Sequence, residues 1–524
     1  MVDIEDINID TSNRSLMIHI IEDLLRMNES YYDNNIVFNK TMNVLRRKYK
    51  ISPSKHDLGI LYAELSHTEP YKYPIIVPLK ERLISQSIRS DSGILNISIS
   101  LPPNEFSCLH NCFFCPNEPG MPRSYLSNEG IFKHASSVNF NTVKQIKSRL
   151  DILKTNGHPI DKIEYRILGG TFSCYPHNIV DEFVRDCYYT ANIYGTLQPR
   201  EPLSIEEEQL INMTSTIHVV GFGIETRPDE INEREIIRFR HYGITRVELG
   251  IQHTDDQLLK IVNRGHTVAD SKRAIKLLKD YGFKIEIHIM TDLPNATPEG
   301  DKECYRLILR DDPDLIPDYL KDYPCLDVSY TVIKHWKNCG KWQPYAEKTH
   351  DAHDLKEVLI YRQQITPKWV RVNRIQRDFI PANETPDHIG YTSEGIKSNL
   401  GQIVKFEAEM RGIYCQCIRC REIRNEKFDS SEIKFMSETF PASDGLEYFI
   451  SAEIQREHRN LLLGFIRLRL SDVLTHSIIP ELLGKTAMIR ELHVYGRLKE
   501  VGKNIQNLDH DAQHLGIGAQ HLGI

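Results

Sequence analysis

Nowhere in the 524-residue chain does an apolar run approach the roughly 18 residues that a membrane-crossing helix requires. The opening Met1-Val-Asp-Ile-Glu-Asp6 lacks the basic and apolar regions of a secretory leader. Both absences lead to the expectation of a cytoplasmic or nuclear protein with no membrane partner. Excess positive charge is missing as well. With 65 Lys and Arg against 72 Asp and Glu, the formal net charge is −7, which argues against a protein that binds nucleic acid over its whole surface. No internal repeat has a structural period. The one duplication, Ala512-Gln-His-Leu-Gly-Ile517 followed by Ala519-Gln-His-Leu-Gly-Ile524, is too short for architecture and reads as an interrupted reading frame. Cysteine is not scarce. Six of the eleven fall into two tight clusters, and in a reducing compartment such clusters bind metal more readily than they form disulfides.

The charge is unevenly spread. Between Lys40 and Arg89 ten Lys or Arg stand against four acids, centred on Arg46-Arg47-Lys48-Tyr49-Lys50, with Tyr62, Tyr71 and Tyr73 interleaved. A basic stripe with aromatics suits a polyphosphate, and a merely solvated helical face is the competing reading. Residues 1–90 read as helical, with Ile20, Ile21, Leu24 and Leu25 on one face. From Ser92 short β-branched runs alternate with amphipathic stretches. Strands are expected at 93–101, 162–168, 216–225, 244–252, 284–290, 325–333 and 370–377, with helices between them, the one over 271–281 ending at Gly282. Six or seven parallel β/α units predict an α/β fold, a partial TIM-type barrel over 91–385, in which function gathers at the C-terminal strand ends. The pattern then breaks into a connector over 386–428 and a further domain over 429–524, with strands expected at 461–470 and 488–495.

Cys108, Cys112 and Cys115 follow the first expected strand with Cys-x3-Cys-x2-Cys spacing. Three thiolates on a four-iron cube leave one iron without a protein ligand, open to chelate the amino and carboxylate groups of S-adenosylmethionine (SAM). A zinc site or a disulfide pair is the plainer alternative.

Further motifs occur in order along the chain: Gly169-Gly-Thr-Phe172, Gly223-Ile-Glu-Thr-Arg-Pro-Asp229, Glu248-Leu-Gly-Ile-Gln252, Asn263-Arg-Gly-His-Thr267, Asp292-Leu-Pro-Asn295 and Arg490-Glu-Leu-His-Val-Tyr-Gly496. With them, the chain from about Lys40 onward closely resembles the family of the Elongator catalytic subunit, including archaeal and viral members that act without other subunits. The resemblance implies a radical-SAM barrel joined to a GNAT-type acetyl-CoA domain, acting to carboxymethylate C5 of the tRNA wobble uridine. It implies a [4Fe-4S] cluster on Cys108, Cys112 and Cys115, with Gly169, Gly170, Thr171, Glu225, Arg227 and Gln252 contacting SAM or substrate. A structural salt bridge between Glu225 and Arg227 is the alternative for that pair. Lys162 matches a lysine that contacts acetyl-CoA in the family. Lys321 and Tyr323 match a motif near its active site, although Asp327-Val-Ser-Tyr-Thr331 replaces the glycine-bearing loop that follows there. Cys415, Cys417 and Cys420 resemble the family's zinc site, with a fourth ligand unidentified and an auxiliary iron–sulfur cluster as the alternative.

Glu491, Leu492, His493 and Val494 correspond to the GNAT strand beside the pantetheine arm of acetyl-CoA. Ile517, Gly518 and Ala519 correspond to its pyrophosphate loop. The chain stops six residues after Gly518, so the expectation is an incomplete α+β GNAT-type domain that uses its co-substrate poorly. The implied partners are tRNA, held at residues 1–90 and through its anticodon stem-loop, and either Elongator-like subunits or a second copy. Protein lysine acetylation and a non-catalytic tRNA-binding remnant are the rival functions.

Overall fold

The computed structural model describes residues 13–28, 31–32, 35–53, 55–83, 93–103, 108, 110–196, 200–375, 399–424, 426, 428–474 and 477–495. The chain forms two compact units, Met1–Leu95 with Ile146–Lys162, and Asn96–Gln145 with Ile163–Ile524.

The first unit is helical, with α1 (Arg14–Leu25), α2 (Asn35–Tyr49), α3 (Lys55–Thr68) and α4 (Val77–Leu83). Met17, Ile20, Ile21 and Leu24 of α1 are buried, the positions that a 3.6-residue period brings to one face. They meet Phe38, Met42 and Leu45 of α2 and Leu58, Leu61 and Leu65 of α3 in one apolar cluster. Around it Arg14 donates to both oxygens of Glu64, at 2.5 and 3.0 Å, and Lys48 reaches Asp23 at 2.6 Å. Lys48 is therefore paired, while Lys40, Arg47 and Lys50 stand exposed.

The second unit is built on seven strands: β1 (Leu95–Ser100), β2 (Lys162–Leu168), β3 (His218–Thr226), β4 (Ile244–Gln252), β5 (Lys284–Ile289), β6 (Tyr319–Asp322) and β7 (Arg371–Arg374). They lie in chain order, and β3 through β7 pair in parallel. The result is the expected α/β half-barrel. Helix boundaries follow local chemistry. Thr267 and Asp270 form a capping box on the helix Val268–Asp280, and Gly282 follows it at φ +77° with its N–H on the Lys279 carbonyl at 3.0 Å.

The expected strand over 325–333 does not exist. β6 lies earlier, as four residues between Pro317 and Pro324, and its polar Lys321 and Asp322 hide it from an apolar pattern. Segment 325–331 is irregular, Tyr330 takes φ +63°, and the Thr331 hydroxyl caps the helix Val332–Asn338. This segment braces the cysteine loop. Ile333 N–H donates to the Phe113 carbonyl at 3.1 Å, Asn117 N–H to the Tyr330 carbonyl at 3.2 Å, and Trp336 meets Phe113 edge-on at 5.1 Å.

A second, antiparallel sheet of β8 (Ile433–Ala442), β9 (Gly445–Ile454), β10 (Leu461–Leu474) and β11 (Gly484–Val494) has the order β11-β10-β9-β8. It closes the N-terminal end of the half-barrel through buried charge. Arg490 donates to both oxygens of Asp318, just before β6, at 2.6 and 2.8 Å, and to the Phe283 carbonyl, just before β5, at 2.9 Å. Arg469 reaches Asp280 at 2.6 Å. Asp318 is held far below the usual carboxylate range because Arg490 and Arg467 outweigh its burial. The expected pyrophosphate loop, Ile517, Gly518 and Ala519, lies outside the described residues, as does most of the connector.

Candidate active site

Each candidate group sits where a strand ends. After β1 the chain turns through Cys108, Cys112 and Cys115. Cys112 is buried, and two guanidinium groups converge on its sulfur: Arg264 Nη1 at 3.5 Å and Arg227 Nη1 at 3.7 Å. Both arginines are locked in turn. Arg227 donates to Asp229 and to the Arg264 carbonyl, and Arg264 donates to the Gly250 carbonyl at the end of β4. A neutral thiol needs no such company, whereas an anionic sulfur does. Thr171 Oγ1 stands 3.6 Å from Cys108 Sγ. The Cys108 thiol is pulled down to about 4, first by a hydrogen bond from Cys174 and against its burial, with Thr171 and Arg227 assisting. Cys115 is pushed up by burial and by the neighbouring Cys112 and Cys108. Three sulfurs that feel one another, ringed by donors, suit an anionic metal–sulfur cluster.

Gly169 and Gly170 turn the chain after β2 at φ +148° and +86°. A Cβ at Gly169 would stand 2.8 Å from the Tyr175 hydroxyl, and one at Gly170 would stand 2.9 Å from the Arg123 carbonyl oxygen. Both glycines are thus required by this corner's own packing. Gln252 ends β4 at φ +74°, strained for a residue with a side chain, and its carbonyl accepts from Met290 N–H at 2.7 Å.

Below this rim the half-barrel interior is charged. Lys321 on β6 donates to Glu248 on β4 and lies 3.4 Å from Glu286 on β5. Glu248 also accepts from Arg166 at 2.8 Å and faces His288 Nε2 at 3.1 Å. Glu225 accepts from the Tyr125 hydroxyl and stands 3.8 Å from Arg166. Tyr323 meets the His288 ring edge-on at 5.5 Å. Burial raises all three carboxyls. Glu248 adds to the rise at Glu225 and Glu286, while Arg166 opposes it throughout. Two fixed cations, Arg166 and Lys321, therefore contact three carboxyls. A cationic ligand would find this pit favourable.

A family model described as the radical SAM superfamily matches residues 106–308. The tRNA uridine(34) acetyltransferase of Methanocaldococcus infernus is 36% identical over 470 residues, covering 86% of this chain and 82% of its own. That of Dehalococcoides mccartyi is 36% identical over 431 residues, covering 82% of this chain and 88% of its own. Elongator complex protein 3 of Homo sapiens is 30% identical over 499 residues, covering 92% and 85%. The chain belongs to the tRNA uridine(34) acetyltransferase and Elongator complex protein 3 family. In agreement, the solved structure of the archaeal Methanocaldococcus infernus Elp3 lacking residues 1–46 matches with a TM-score of 0.65 at 34% identity, covering 82% of this chain and 89% of that one.

Within this family member, the residues singled out from sequence fall into separate places. Cys108, Cys112, Cys115, Thr171 and Arg227 come together at the rim. Glu225 and Lys321 point into the pit, and Tyr323 stands over His288. Glu225 and Arg227 do not pair, because Glu225 serves Tyr125 and Arg166 while Arg227 serves Cys112 and Asp229. Lys162 opens β2, at the strand end opposite Gly169. On the edge strand β11, Glu491 turns toward the barrel, where it accepts from Tyr319 and from Arg467 at 2.8 Å, and these partners and Lys284 bring it down to about 2 despite its burial. Leu492 is exposed, and His493 stacks on Phe465 at 5.8 Å. Sequence reasoning passed over Arg166, Glu248, His288, Glu286, Arg264 and Cys174. Lys284-Ile-Glu286-Ile-His288-Ile alternates polar with apolar, a signal that one face of a β-rich segment turns inward on polar company.

The second cysteine group is compact. The sulfurs of Cys415, Cys417 and Cys420 all lie within 4.8 Å of one another, Cys415 and Cys417 being buried. Hydrogen bonds from the other two hold the Cys417 thiol well below its usual range. Three sulfurs at this spacing suit one metal ion.

Proposed function

We propose that this chain carboxymethylates C5 of the wobble uridine of tRNA, with SAM and acetyl-CoA as co-substrates. The reading is carried by one arrangement: three cysteines at the mouth of a half-barrel, their sulfurs met by Arg227, Arg264 and Thr171, above a charged pit, in a chain about a third identical to enzymes named for tRNA uridine(34). A [4Fe-4S] cluster held by Cys108, Cys112 and Cys115 would supply reductive cleavage of the SAM sulfonium. The protein's own residues do the rest. Arg227 and Arg264 stabilise negative charge at Cys112. The Gly169-Gly170 corner sets Thr171 against Cys108, and Gln252 fixes the neighbouring strand end. Glu225, Glu248 and Glu286 hold excess negative charge that would orient a cationic co-substrate, and Lys321, clamped between Glu248 and Glu286, holds a proton in the pit beside His288 and Tyr323.

The remaining assignments belong to the same proposal. Residues 1–90 offer exposed Lys40, Arg47 and Lys50 to tRNA phosphates; 91–385 form the radical-SAM barrel; 386–428 carry zinc on Cys415, Cys417 and Cys420; and 429–524 serve acetyl-CoA through Glu491 to Val494, with Lys162 as a further contact. Elongator-like subunits or a second copy would complete the assembly. No described helix is long and apolar enough to cross a membrane, and the site of action proposed is the cytoplasm.

The test is anaerobic cluster reconstitution, followed by assay of deoxyadenosine and of carboxymethyluridine in tRNA, with and without acetyl-CoA. Both products are expected from the wild-type chain, and both are expected to vanish in the Cys112→Ser, Cys115→Ser double variant. Lysine acetylation that survives in the variant, with no modified uridine from the wild type, would replace this reading with the rival one.

A further inference from the structure

Arg362 is a fully buried arginine that the reaction above does not use. It projects from the helix His353–Ile365 and is 1% exposed. On one side its Nε stands 2.9 Å from Asp322 Oδ2, and Asp322 Oδ1 accepts from the Tyr305 hydroxyl at 3.1 Å. On the other side lie the thiolates of Cys415 and Cys417. Burial discourages charge on the guanidinium, but Asp322, Cys415, Tyr305 and Cys417 together keep it more firmly protonated than usual. Among the described residues its Nη2 has no hydrogen-bond acceptor. An arginine buried this deeply with an idle N–H is costly unless another anion uses it. Asp322 cannot be that anion for both sides, since it is already committed to Tyr305 and Nε.

We infer that Arg362 is the outer support of a metal–thiolate site at Cys415, Cys417 and Cys420, its free Nη2 donating to a metal-bound sulfur, and that it ties this site to β6. The inference rests on the metal reading of the three cysteines. The chemistry is simple. Three thiolates on one divalent cation carry a net charge of about −1, and a guanidinium beside them offsets that charge without competing for the metal, as a second cation bound to sulfur would. A hydrogen bond to a thiolate also fixes the direction of its lone pairs, which is how outer partners orient metal ligands. The consequence reaches the barrel. Strand alternation sends Lys321 into the pit and Asp322 outward to Arg362. A metal at the cysteines therefore steadies, through Arg362 and Asp322, the strand that presents Lys321 and Tyr323.

The test uses the full chain with zinc alone, then with cobalt(II) as a spectroscopic probe. Chelator competition on the wild type should show about one equivalent of tightly held zinc. Arg362→Gln should weaken retention roughly 10- to 100-fold and shift the sulfur-to-cobalt charge-transfer band, with Arg362→Lys between the two. Asp322→Asn, which leaves Arg362 in place, should hold zinc at least as tightly as the wild type. A purely structural arginine would lower the thermal stability of metal-free and metal-loaded protein alike, whereas the role inferred here shrinks the stabilisation that zinc adds. Unchanged retention and an unchanged cobalt band in Arg362→Gln overturn the inference while leaving the metal site standing. Equal loss of zinc in Asp322→Asn overturns it too, whether or not Arg362→Gln folds. A wild-type chain that binds no zinc removes both the metal reading and the inference.

Discussion

Replacing Lys321 with methionine keeps the length of the side chain and deletes its charge at the centre of the half-barrel. Lys321 and Arg166 are the two fixed cations in direct contact with Glu225, Glu248 and Glu286, and Lys321 is fully buried. The variant leaves Arg166 alone against three carboxyls. Stranding a buried charge in this way costs about 3–5 kcal/mol, less whatever is recovered when a carboxyl takes up a proton. That recovery sets the sign of the pH dependence. All three carboxyls have folded-state pKa values above their unfolded values, so the native state keeps protons that the unfolded chain has lost, and stability falls as pH rises through the raised range. Deleting Lys321 raises the group further. The penalty should then be about 3 kcal/mol or more near pH 7 and shrink by about 1.4 kcal/mol for each pH unit toward acid while one extra proton is held. Urea unfolding followed by tryptophan fluorescence reads this directly, because Trp336, Trp342 and Trp369 are the chain's three tryptophans and all belong to the second unit. Adding Glu248→Gln to Lys321→Met should recover much of the loss. An unchanged midpoint, a penalty that is flat between pH 6 and pH 8, or a double variant worse than the sum of its parts would refute the charge argument.

Three further outcomes follow from single contacts. Gly170→Ala places a Cβ 2.9 Å from the Arg123 carbonyl oxygen at φ +86°, which should cost about 2 kcal/mol and lower the thermal midpoint by several degrees; an unchanged midpoint means the corner is softer than described. In the cluster-free protein Cys108, with its thiol at about 4, should be alkylated by iodoacetamide at pH 6, while Cys187, Cys304 and Cys325, raised by burial, stay unlabelled in peptide maps. The idea fails if Cys108 reacts at pH 6 no faster than Cys187. Arg490→Met leaves Asp318 and Glu447 buried without their common cation and should cost about 3–5 kcal/mol in the same fluorescence assay, and a loss under about 1 kcal/mol would show that water relieves the site.

The barrel was legible because its strands are β-branched and its motifs fall at strand ends. β2, β4 and β5 carry long alternating runs, and each begins and ends within a residue or so of the expected place. β6 was not legible. Four residues with Lys321 and Asp322 among them are too few and too polar to stand out, whereas Cys325-Leu-Asp-Val-Ser-Tyr-Thr-Val-Ile333 has strand-like composition and forms a brace instead. Tertiary need overrode propensity there: Thr331 caps a helix whose first turn bonds the cysteine loop. β8 escaped notice for the opposite reason. It is exposed on most positions, so burial never imposed an apolar alternation on its sequence. At the site, spacing alone revealed the cysteines, but the arginines that serve Cys112 come from two distant motifs, and only the fold brings Arg227 and Arg264 to one sulfur.

β11 shows how one strand can be read correctly in sequence and still be assigned half its work. Glu491 stands out by resemblance as a neighbour of acetyl-CoA, yet its carboxylate is occupied by Tyr319 and Arg467 at the base of the barrel, and Arg490 beside it binds Asp318 and Glu447. Any contact that β11 makes with a co-substrate is therefore left to its backbone and to outward residues such as Leu492. The division has an energetic logic. A sheet held to the barrel only by apolar contact could slide along it, but guanidinium–carboxylate pairs have fixed geometry and tolerate no such movement. The anchoring lies wholly in β9, β10 and β11 and in the segments that lead into β5 and β6. Substitutions that disable acetyl-CoA use from the outer side of β11 should thus leave the charged pit and the cysteine rim intact, so that SAM cleavage and acetyl-CoA use can be lost separately.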